Sequence, residues 1–361
     1  MATQAGAPPS VGIVDRWQAA RLPLPGWFPW LAGRLLAGFG TVLAVSAIVY
    51  LATLALPSDP ARVILGPEAT DKAVAILREQ LGLNRPIAVQ YVDWLRHVAV
   101  GDFGNSLDSN VPAFGLVIER LGNSIALMIF VLLVTAPAAF LLGVAMAVKR
   151  DSRFDRTAMT LLIGFKAVPP FAIAVALILL FSTGPLAILP AVSILDPSLS
   201  PFAQPLYLVL PATTLLLLVL PFLTRLIRAS LTETLEADYI AAARLRGLPE
   251  RRIVWRHAVP NALPPVIQGF AMATRMVLGG ALIVEVVFSY PGIGSALNAA
   301  IETRDIPVVQ AIALLTAIAV VFINLVADFA TVLLTPRLRT TTRPRLRSGT
   351  GARLRLRAGG A

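Results

Sequence analysis

Long apolar stretches alternate with short polar connections along most of the chain. A helix that crosses a membrane needs about 20 mostly apolar residues, because all its backbone N–H and C=O groups must pair with one another inside the hydrocarbon. Six stretches meet that requirement, near residues 35–57, 119–148, 157–182, 205–228, 261–288 and 307–335. The pattern therefore predicts an all-α integral membrane protein with six membrane-spanning helices.

The connections between these stretches predict further elements. Residues 58–118 contain two short segments with apolar side chains at helical spacing, which predict two amphipathic helices at the outer interface. The proline-rich segment 183–205 would interrupt a helix repeatedly, so we expect an extracytoplasmic loop there. A short outer loop is expected at 290–306, and the Arg-rich tail 340–361 has no apolar period and is predicted to be disordered.

Lysine and arginine residues give the predicted orientation, because positive side chains are retained on the cytoplasmic side. They cluster after the second and fourth stretches and beyond Pro336. Both termini are therefore predicted to be cytoplasmic, in a multi-pass protein of the plasma membrane (the inner membrane). The predicted organisation is a cytoplasmic segment 1–33, a transmembrane domain 34–339 with an outer loop 58–118 and a cytoplasmic loop 229–260, and the tail 340–361.

Composition supports the membrane assignment and excludes several classes of function. The chain is 57% hydrophobic and 14% charged, with a mean hydropathy of +0.76, which is too apolar for a soluble domain. The net charge of +11 lies between and beyond the apolar stretches, which favours membrane lipid over nucleic acid as the anionic partner. There is no cysteine, so thiolate metal sites and disulfides are excluded.

Sequence motifs of intramembrane enzymes are absent from the chain. It has neither a His-Glu-x-x-His zinc motif nor a Gly-x-Ser-x-Gly elbow, and no Gly-x-x-x-x-Gly-Lys-Ser/Thr loop that would bind nucleotide. No enzymatic activity, cofactor or metal is predicted for the chain itself. A secondary transporter or channel is the alternative of another class, and an inverted repeat in the hydropathy pattern, which is not visible here, would support it.

The cytoplasmic loop 229–260 predicts a helix–turn–helix. The first helix should end at Gly247, which can adopt the left-handed conformation, and Pro249 should occupy the first position of the second helix. Three small residues from Ala241 to Ala243 let another protein approach one surface closely. The flanking arginines suit an acidic groove on that partner.

This loop resembles the coupling loop of the permease subunits of binding-protein-dependent ABC importers. That pattern is Glu-Ala-Ala, three residues, Gly, nine residues, Ile-x-Leu-Pro. The first Glu is absent here, and His257 stands at the Ile position; the segment from Asp238 to Gly247 is instead similar to the branch that imports dipeptides and oligopeptides. The resemblance assigns to the coupling loop Asp238, Tyr239, Ala241, Ala242, Ala243, Arg244, Gly247, Pro249, Arg252, His257 and Pro260.

Further segments, spread from about residue 34 to 339, resemble the same branch. They are 81–86, 101–104, 290–294, 304–310 and 336–337. The resemblance implies a type I ABC importer permease fold, with six transmembrane helices and cytoplasmic coupling helices. The long outer loop is typical of the first of two paired permeases.

The resemblance also implies partners and a cargo. A second homologous permease would complete the translocation path, cytoplasmic ABC ATPase subunits would bind the ATP, and an extracytoplasmic solute-binding protein would deliver the solute. The implied cargo is a dipeptide or oligopeptide. Nickel chelates, glutathione and oligosaccharides are alternatives with the same architecture.

Ionisable residues within the apolar stretches are costly unless they have partners or face a wet cavity. Lys166, Arg275 and Glu285 are candidates for lining the translocation path, because peptides carry both an amine and a carboxylate. Salt-bridged packing between spans is the alternative explanation for these residues.

Overall fold

The structure is a computed structural model that describes residues 27–54, 60–66, 68–80, 82–184 and 186–334. Predictions for residues 1–26, for Leu81 and for the tail, including Pro336 and Arg337, lie outside the described residues. The described residues form α-helices and contain no strand, only one isolated bridge. The helices are α1 (Trp27–Leu54), α2 (Pro60–Leu65), α3 (Asp71–Gln80), α4 (Ile87–Ala99), α5 (Ala113–Val148), α6 (Arg153–Ala167), α7 (Pro170–Ile178), α8 (Pro205–Leu235), α9 (Asp238–Leu245), α10 (Glu250–Arg252), α11 (Val259–Val287), α12 (Ile293–Glu302) and α13 (Ile306–Leu334).

Five helices are long and apolar enough to cross a membrane. They are Leu31–Leu54, Ala113–Val148, Pro205–Leu235, Glu250–Val287 and Ile306–Phe329. Even the shortest has 24 residues, which at 1.5 Å per residue spans a hydrocarbon core of about 30 Å. These helices confirm the first, second, fourth, fifth and sixth predicted spans.

The third predicted span is not one straight helix. Helices α6 and α7, with the π-helical turn that follows α7, are bent by 100° at a short break, and they make a sixth span only if the pair is counted as one. The cause is the pair Pro169-Pro170. A proline disfavours helical backbone in the residue before it, and Val168 and Pro169 are both extended, with ψ angles of 129° and 145°.

The core lies between α5, α8 and α11, where small residues allow close approach of the helices. A Cβ atom at Gly143 of α5 would lie 2.8 Å from the Ile227 side chain and 3.0 Å from the Thr224 carbonyl oxygen of α8. A Cβ atom at Gly280 of α11 would lie 2.6 Å from Leu218. Packing through small residues is the usual means of association inside a bilayer, where burying apolar surface gives no advantage over lipid.

Two amphipathic helices were predicted within residues 58–118, called the outer segment below, and helices α3 and α4 confirm them. Helix α4 packs against α1 through aromatic rings: the Tyr50 ring centroid lies 5.5 Å from that of Tyr91 and 5.4 Å from that of Trp94. The hydroxyl groups of Tyr91 and Ser46 are 2.7 Å apart and share a hydrogen bond. The aromatic face of α4 therefore fixes this part of the outer segment to the first span.

The connections predicted at 183–205 and 290–306 differ in their helical content. Between 184 and 204 the described residues form only a short 3-10 turn, Pro201–Ala203, which confirms the predicted loop. The predicted short connection at 290–306 contains the ten-residue helix α12, which was not predicted. The helix was missed because only a tertiary contact satisfies its first N–H groups.

Candidate functional site

The hairpin that was predicted to be cytoplasmic, defined here as residues 236–260, contains α9 in its first arm. Helix α9 ends in a left-handed turn: Gly247 has a φ of +74°, its N–H donates to the Arg244 carbonyl at 2.9 Å, and the Leu248 N–H donates to the Ala243 carbonyl at 3.3 Å. This pair of bonds is the Schellman motif, in which glycine is favoured because it has no Cβ. The helix thus terminates as the sequence predicted.

The second arm of the hairpin begins one residue later than predicted. Pro249 is extended, with a ψ of 141°, and precedes the helix as its N-cap. Its carbonyl accepts hydrogen bonds from the N–H groups of Arg252 (2.9 Å) and Ile253 (3.1 Å). From Glu250 the chain passes through a π-helical turn, Ile253–Ala258, into α11, so that Glu250–Val287 is one continuous helical segment. The second arm is therefore one end of the fifth span.

The hairpin presents an exposed surface. Ile240 is fully buried and anchors α9, whereas Leu245 at the tip is 90% exposed. Among the predicted coupling residues, Ala243 and His257 are half-buried. The others are exposed: Asp238, Tyr239, Ala241, Ala242, Arg244, Gly247, Pro249, Arg252 and Pro260.

One exposed apolar residue of the hairpin, Leu245, was not singled out from the sequence. Leu245 lies between arginines at the end of α9, and Trp255 is half-exposed, with its ring centroid 6.1 Å from that of Phe140 in α5. Together with Tyr239 they give the hairpin an apolar surface with basic neighbours. An apolar side chain in the last turn of a basic helix was the available signal for Leu245.

A salt bridge closes the hairpin across its turn. Arg244 Nε donates to Glu250 Oε1 at 2.7 Å, and its Nη1 donates to the Leu235 carbonyl at 3.4 Å. Both charged side chains are exposed. The salt bridge therefore orients the two arms without burying charge.

An inner junction, defined as Asp155, Arg228, Arg150 and Glu236, attaches the hairpin to the spans. Arg228 of α8 donates to both carboxylate oxygens of Asp155 in α6, at 2.7 and 2.6 Å. Arg150, in the turn between α5 and α6, contacts Glu236, which immediately precedes the hairpin helix. One ion pair thus links the first turn of α6 to α8, and the other links the α5–α6 turn to Glu236, the C-cap of α8.

The three candidate path residues have different surroundings. Lys166 is exposed, close to the α6–α7 bend, and has no hydrogen bond or ion pair within the described part of the chain. Arg275 is exposed and contacts Asn324 of α13. Glu285 is fully buried and faces no open space in this structure. Asp328, another ionisable residue in a span, forms an ion pair with Arg34 at 3.2 Å.

Glu285 belongs instead to an outer junction, defined as Glu285, Ser124, Asn123 and the turn 290–294. Ser124 donates to Glu285 Oε1 and the Gly294 N–H donates to Oε2, both at 2.6 Å. Tyr290 donates its hydroxyl to the Asn123 carbonyl at 2.8 Å. Burial and, secondarily, the Glu285 charge raise the pKa of the Tyr290 hydroxyl above its ordinary value, so it stays protonated as a donor.

Long apolar helices, a bent helix pair and an exposed hairpin continuous with a span define the architecture of a transport permease. The fold is that of an ABC importer permease: a chain of the MetNI methionine ABC transporter in an inward-facing conformation superposes with a TM-score of 0.50. The match covers 61% of this chain and 96% of that one at 18% identity.

The chain belongs to the family of binding-protein-dependent transport system inner membrane components. The family profile matches residues 139–340 and the profile of the N-terminal region of these membrane components matches residues 28–139. The predicted family and the all-α membrane fold are thereby confirmed. The chain is a permease subunit of an ABC importer.

Curated relatives cover most of the chain. The glutathione transport system permease protein GsiC of Salmonella choleraesuis (strain SC-B67) is 35% identical over 306 residues, 85% of this chain and 97% of the relative. A probable peptide ABC transporter permease protein, y4tP of Sinorhizobium fredii (strain NBRC 101917 / NGR234), is 34% identical over 313 residues, 86% of this chain and 99% of the relative.

Proposed function

We propose that this permease subunit forms a translocation path for dipeptides and oligopeptides together with a second homologous permease. One relative is named for glutathione and another for peptides. Glutathione is itself a tripeptide, so both names favour a peptide-like solute over a nickel chelate or an oligosaccharide. Glutathione is the second candidate cargo.

The proposal assigns the cytoplasmic hairpin to a separate ATPase subunit. The observation that carries this assignment is the continuity of the hairpin's second arm with the fifth span, because a push on the hairpin then acts directly on a span. The exposed apolar residues Tyr239, Leu245 and Trp255 provide the surface to be bound. Exposed arginines around them suit an acidic cleft.

The remaining assignments follow from the same arrangement. Both termini and the hairpin would be cytoplasmic, in the plasma membrane, and the outer segment 58–118 would face the solute-binding protein. Lys166 and Arg275 are the candidates for the path, since both are exposed on this isolated subunit. Glu285 would serve a structural junction.

The coupling assignment is tested by Gly247→Val. A β-branched side chain is strained at a φ of +74°, so the turn should open and misplace the tip of the hairpin. We expect normal membrane insertion and at least tenfold lower ATP-dependent uptake. The matched control is Gly101→Val, which puts the same strain at a φ of +86° in the outer segment with open space around it. Normal ATP-coupled uptake by Gly247→Val would refute the coupling role.

The cargo is tested with the binding protein that co-purifies with the assembled transporter. Its thermal stability is measured with dipeptides, oligopeptides, glutathione and a nickel chelate. Stabilisation by peptides supports the main proposal, and stabilisation by glutathione alone selects the second candidate. Stabilisation by the nickel chelate alone would overturn both.

A further inference from the structure

The outer junction holds a buried carboxylate without a cation. Glu285 and Ser124 are both 0% exposed, and Glu285 takes part in none of the ion pairs among the described residues. Removing a carboxylate from water is costly unless hydrogen bonds replace its hydration. The groups that supply those bonds show what the carboxylate holds in place.

Glu285 and Ser124 together cap helix α12 from outside. The first N–H groups of any helix lack partners within the helix, and the N-cap of α12, Gly292, has no side chain that could accept from them. Here the Gly294 N–H donates to Glu285 at 2.6 Å and the Ile293 N–H donates to Ser124 Oγ at 2.9 Å. A carboxylate at this end also interacts favourably with the helix dipole. Helix α12 therefore depends on side chains from α11 and α5.

The turn that precedes α12 is held by the same two helices. Asn123 of α5 donates from Nδ2 to the Pro291 carbonyl at 2.9 Å, and the Tyr290 N–H donates to the Glu285 carbonyl at 2.8 Å. A Cβ atom at Gly292 would collide with the Glu285 carboxylate, and one at Gly294 would lie 2.5 Å from the Leu282 carbonyl oxygen. The fit leaves no room for the turn to shift independently.

The far end of α12 is attached to the segment that leads into α5. Asp305, which follows α12, is buried, and its side chain accepts a hydrogen bond from Ser106. The Asp305 N–H donates to the Ala300 carbonyl at 2.7 Å, closing the end of the helix. Both ends of α12 are thus bound to the α5 region, and its first turn is also bound to α11.

The junction lies at the opposite end of the helical segment that begins in the hairpin. Glu250–Val287 contains 38 residues, so at 1.5 Å per residue it is about 57 Å long. A displacement imposed at Glu250 is carried along this helix to Glu285. Because breaking the junction would leave a buried carboxyl group and two buried N–H groups without partners, α12 and the outer end of α5 should follow α11.

We propose that Glu285 and Ser124 are positioning residues of a mechanical joint, which passes the movement of α11 to α12 and α5 at the outer surface. The proposal rests on the proposed function, because the ATPase subunits supply the movement. Without the ATPase subunits the junction still caps α12, and this capping can be measured without transport. The capping role and the mechanical role of Glu285 are therefore tested separately.

The first test is hydrogen–deuterium exchange on the purified full chain. Glu285→Ala should raise the exchange rate of the first-turn amides of α12 at least tenfold, whereas Glu285→Gln keeps an acceptor for the Gly294 N–H and should raise it less. The control is Gln310→Ala, which removes another buried hydrogen bond, from Gln310 Nε2 in α13 to Thr53 in α1. Unchanged exchange in Glu285→Ala would overturn the capping role.

The second test follows movement in the assembled transporter. The chain has no cysteine, so Asn298→Cys on α12 and Ala237→Cys, at the start of the hairpin and outside the surface proposed for the ATPase, each give one site for a spin label. With Glu285 present, both labels should change mobility when a non-hydrolysable ATP analogue binds. With Glu285→Gln and Glu285→Ala, the hairpin label should still respond and the α12 label should lose most of its response.

Each outcome of the second test bears either on the mechanical joint or on the coupling role of the hairpin. An α12 label that responds fully in the Glu285 variants, or that never responds with Glu285 present, overturns the joint. A hairpin label that does not respond with Glu285 present refutes the coupling role of the hairpin instead. In that case the exchange experiment still decides whether Glu285 caps α12.

Discussion

The inner and outer junctions both join separate helices through a carboxylate, but by different chemistry. In the inner junction Asp155 pairs with a guanidinium, and the side chain of Arg228 is 20% exposed, against 3% for Asp155. In the outer junction Glu285 is completely buried and is held by a hydroxyl and a backbone N–H. The first junction is an ion pair near water, and the second is a capped helix end.

The difference shows how each side of the protein can accommodate charge. The basic residues are concentrated in the connections assigned to the cytoplasmic side, where their guanidinium groups can reach water and anionic headgroups. No such cation is placed at the outer junction, so its carboxylate requires fixed dipoles. An ion pair with access to water can reorganise when it breaks, whereas a buried carboxylate cannot.

The largest loss of stability is expected when the Glu285 side chain of the outer junction is truncated. Glu285→Ala leaves a cavity and removes the acceptor of the Gly294 N–H, which together should cost about 3–5 kcal/mol of stability. Glu285→Gln should cost less than half as much, because the amide keeps one acceptor. Thermal unfolding of the purified protein in detergent measures both. Equal losses in the two variants would mean that both carboxylate oxygens are needed as acceptors, and that neither the filled volume nor a single acceptor stabilises the junction.

A smaller effect is expected at the inner junction. Asp155→Ala should cost about 2–3 kcal/mol, below the usual range for a buried ion pair, because the Arg228 side chain is partly exposed. The double variant Asp155→Arg with Arg228→Asp should recover part of the loss. A double variant that is no more stable than Asp155→Ala would mean that the other hydrogen bonds of Asp155, and not its pairing with Arg228, stabilise this junction.

The smallest effect is expected at the exposed pair of the hairpin. Arg244→Ala should change thermal stability by less than about 1 kcal/mol, because both it and Glu250 lie in water. Uptake should nevertheless fall if the pair fixes the angle between the two arms. Glu250→Gln, tested alongside, should give the same small stability change. A loss of several kcal/mol in either variant would contradict the assignment of this pair to the surface.

Local patterns predicted most of the elements and failed at identifiable residues. Long, mostly apolar stretches predicted five of the spans, and Gly247 predicted the end of α9. The bend at Pro169-Pro170 was missed because apolarity alone does not reveal that two prolines turn the chain by 100°. Pro249 was misplaced by one residue, because proline fits both the N-cap and the first helical position.

The candidate site was predicted unevenly. The hairpin residues were found because their order along the chain is itself the signal, and the structure places most of them on one exposed loop. Glu285 was considered for the translocation path because a charge in a span favours a wet surface. Its actual partners, Ser124 and Gly294, lie 161 and 9 residues away along the chain, and no local pattern connects them.

The sequence by itself determined that the chain resides in the membrane, roughly where five of its spans lie, and which connection carries the basic hairpin. These properties depend on side-chain polarity and on backbone preferences over short distances. Only the tertiary structure decided that the hairpin continues into the fifth span and that α12 is capped by α5 and α11. Those features depend on contacts between groups far apart in the chain, because a buried N–H group or carboxylate is satisfied by whatever the fold brings within hydrogen-bonding distance.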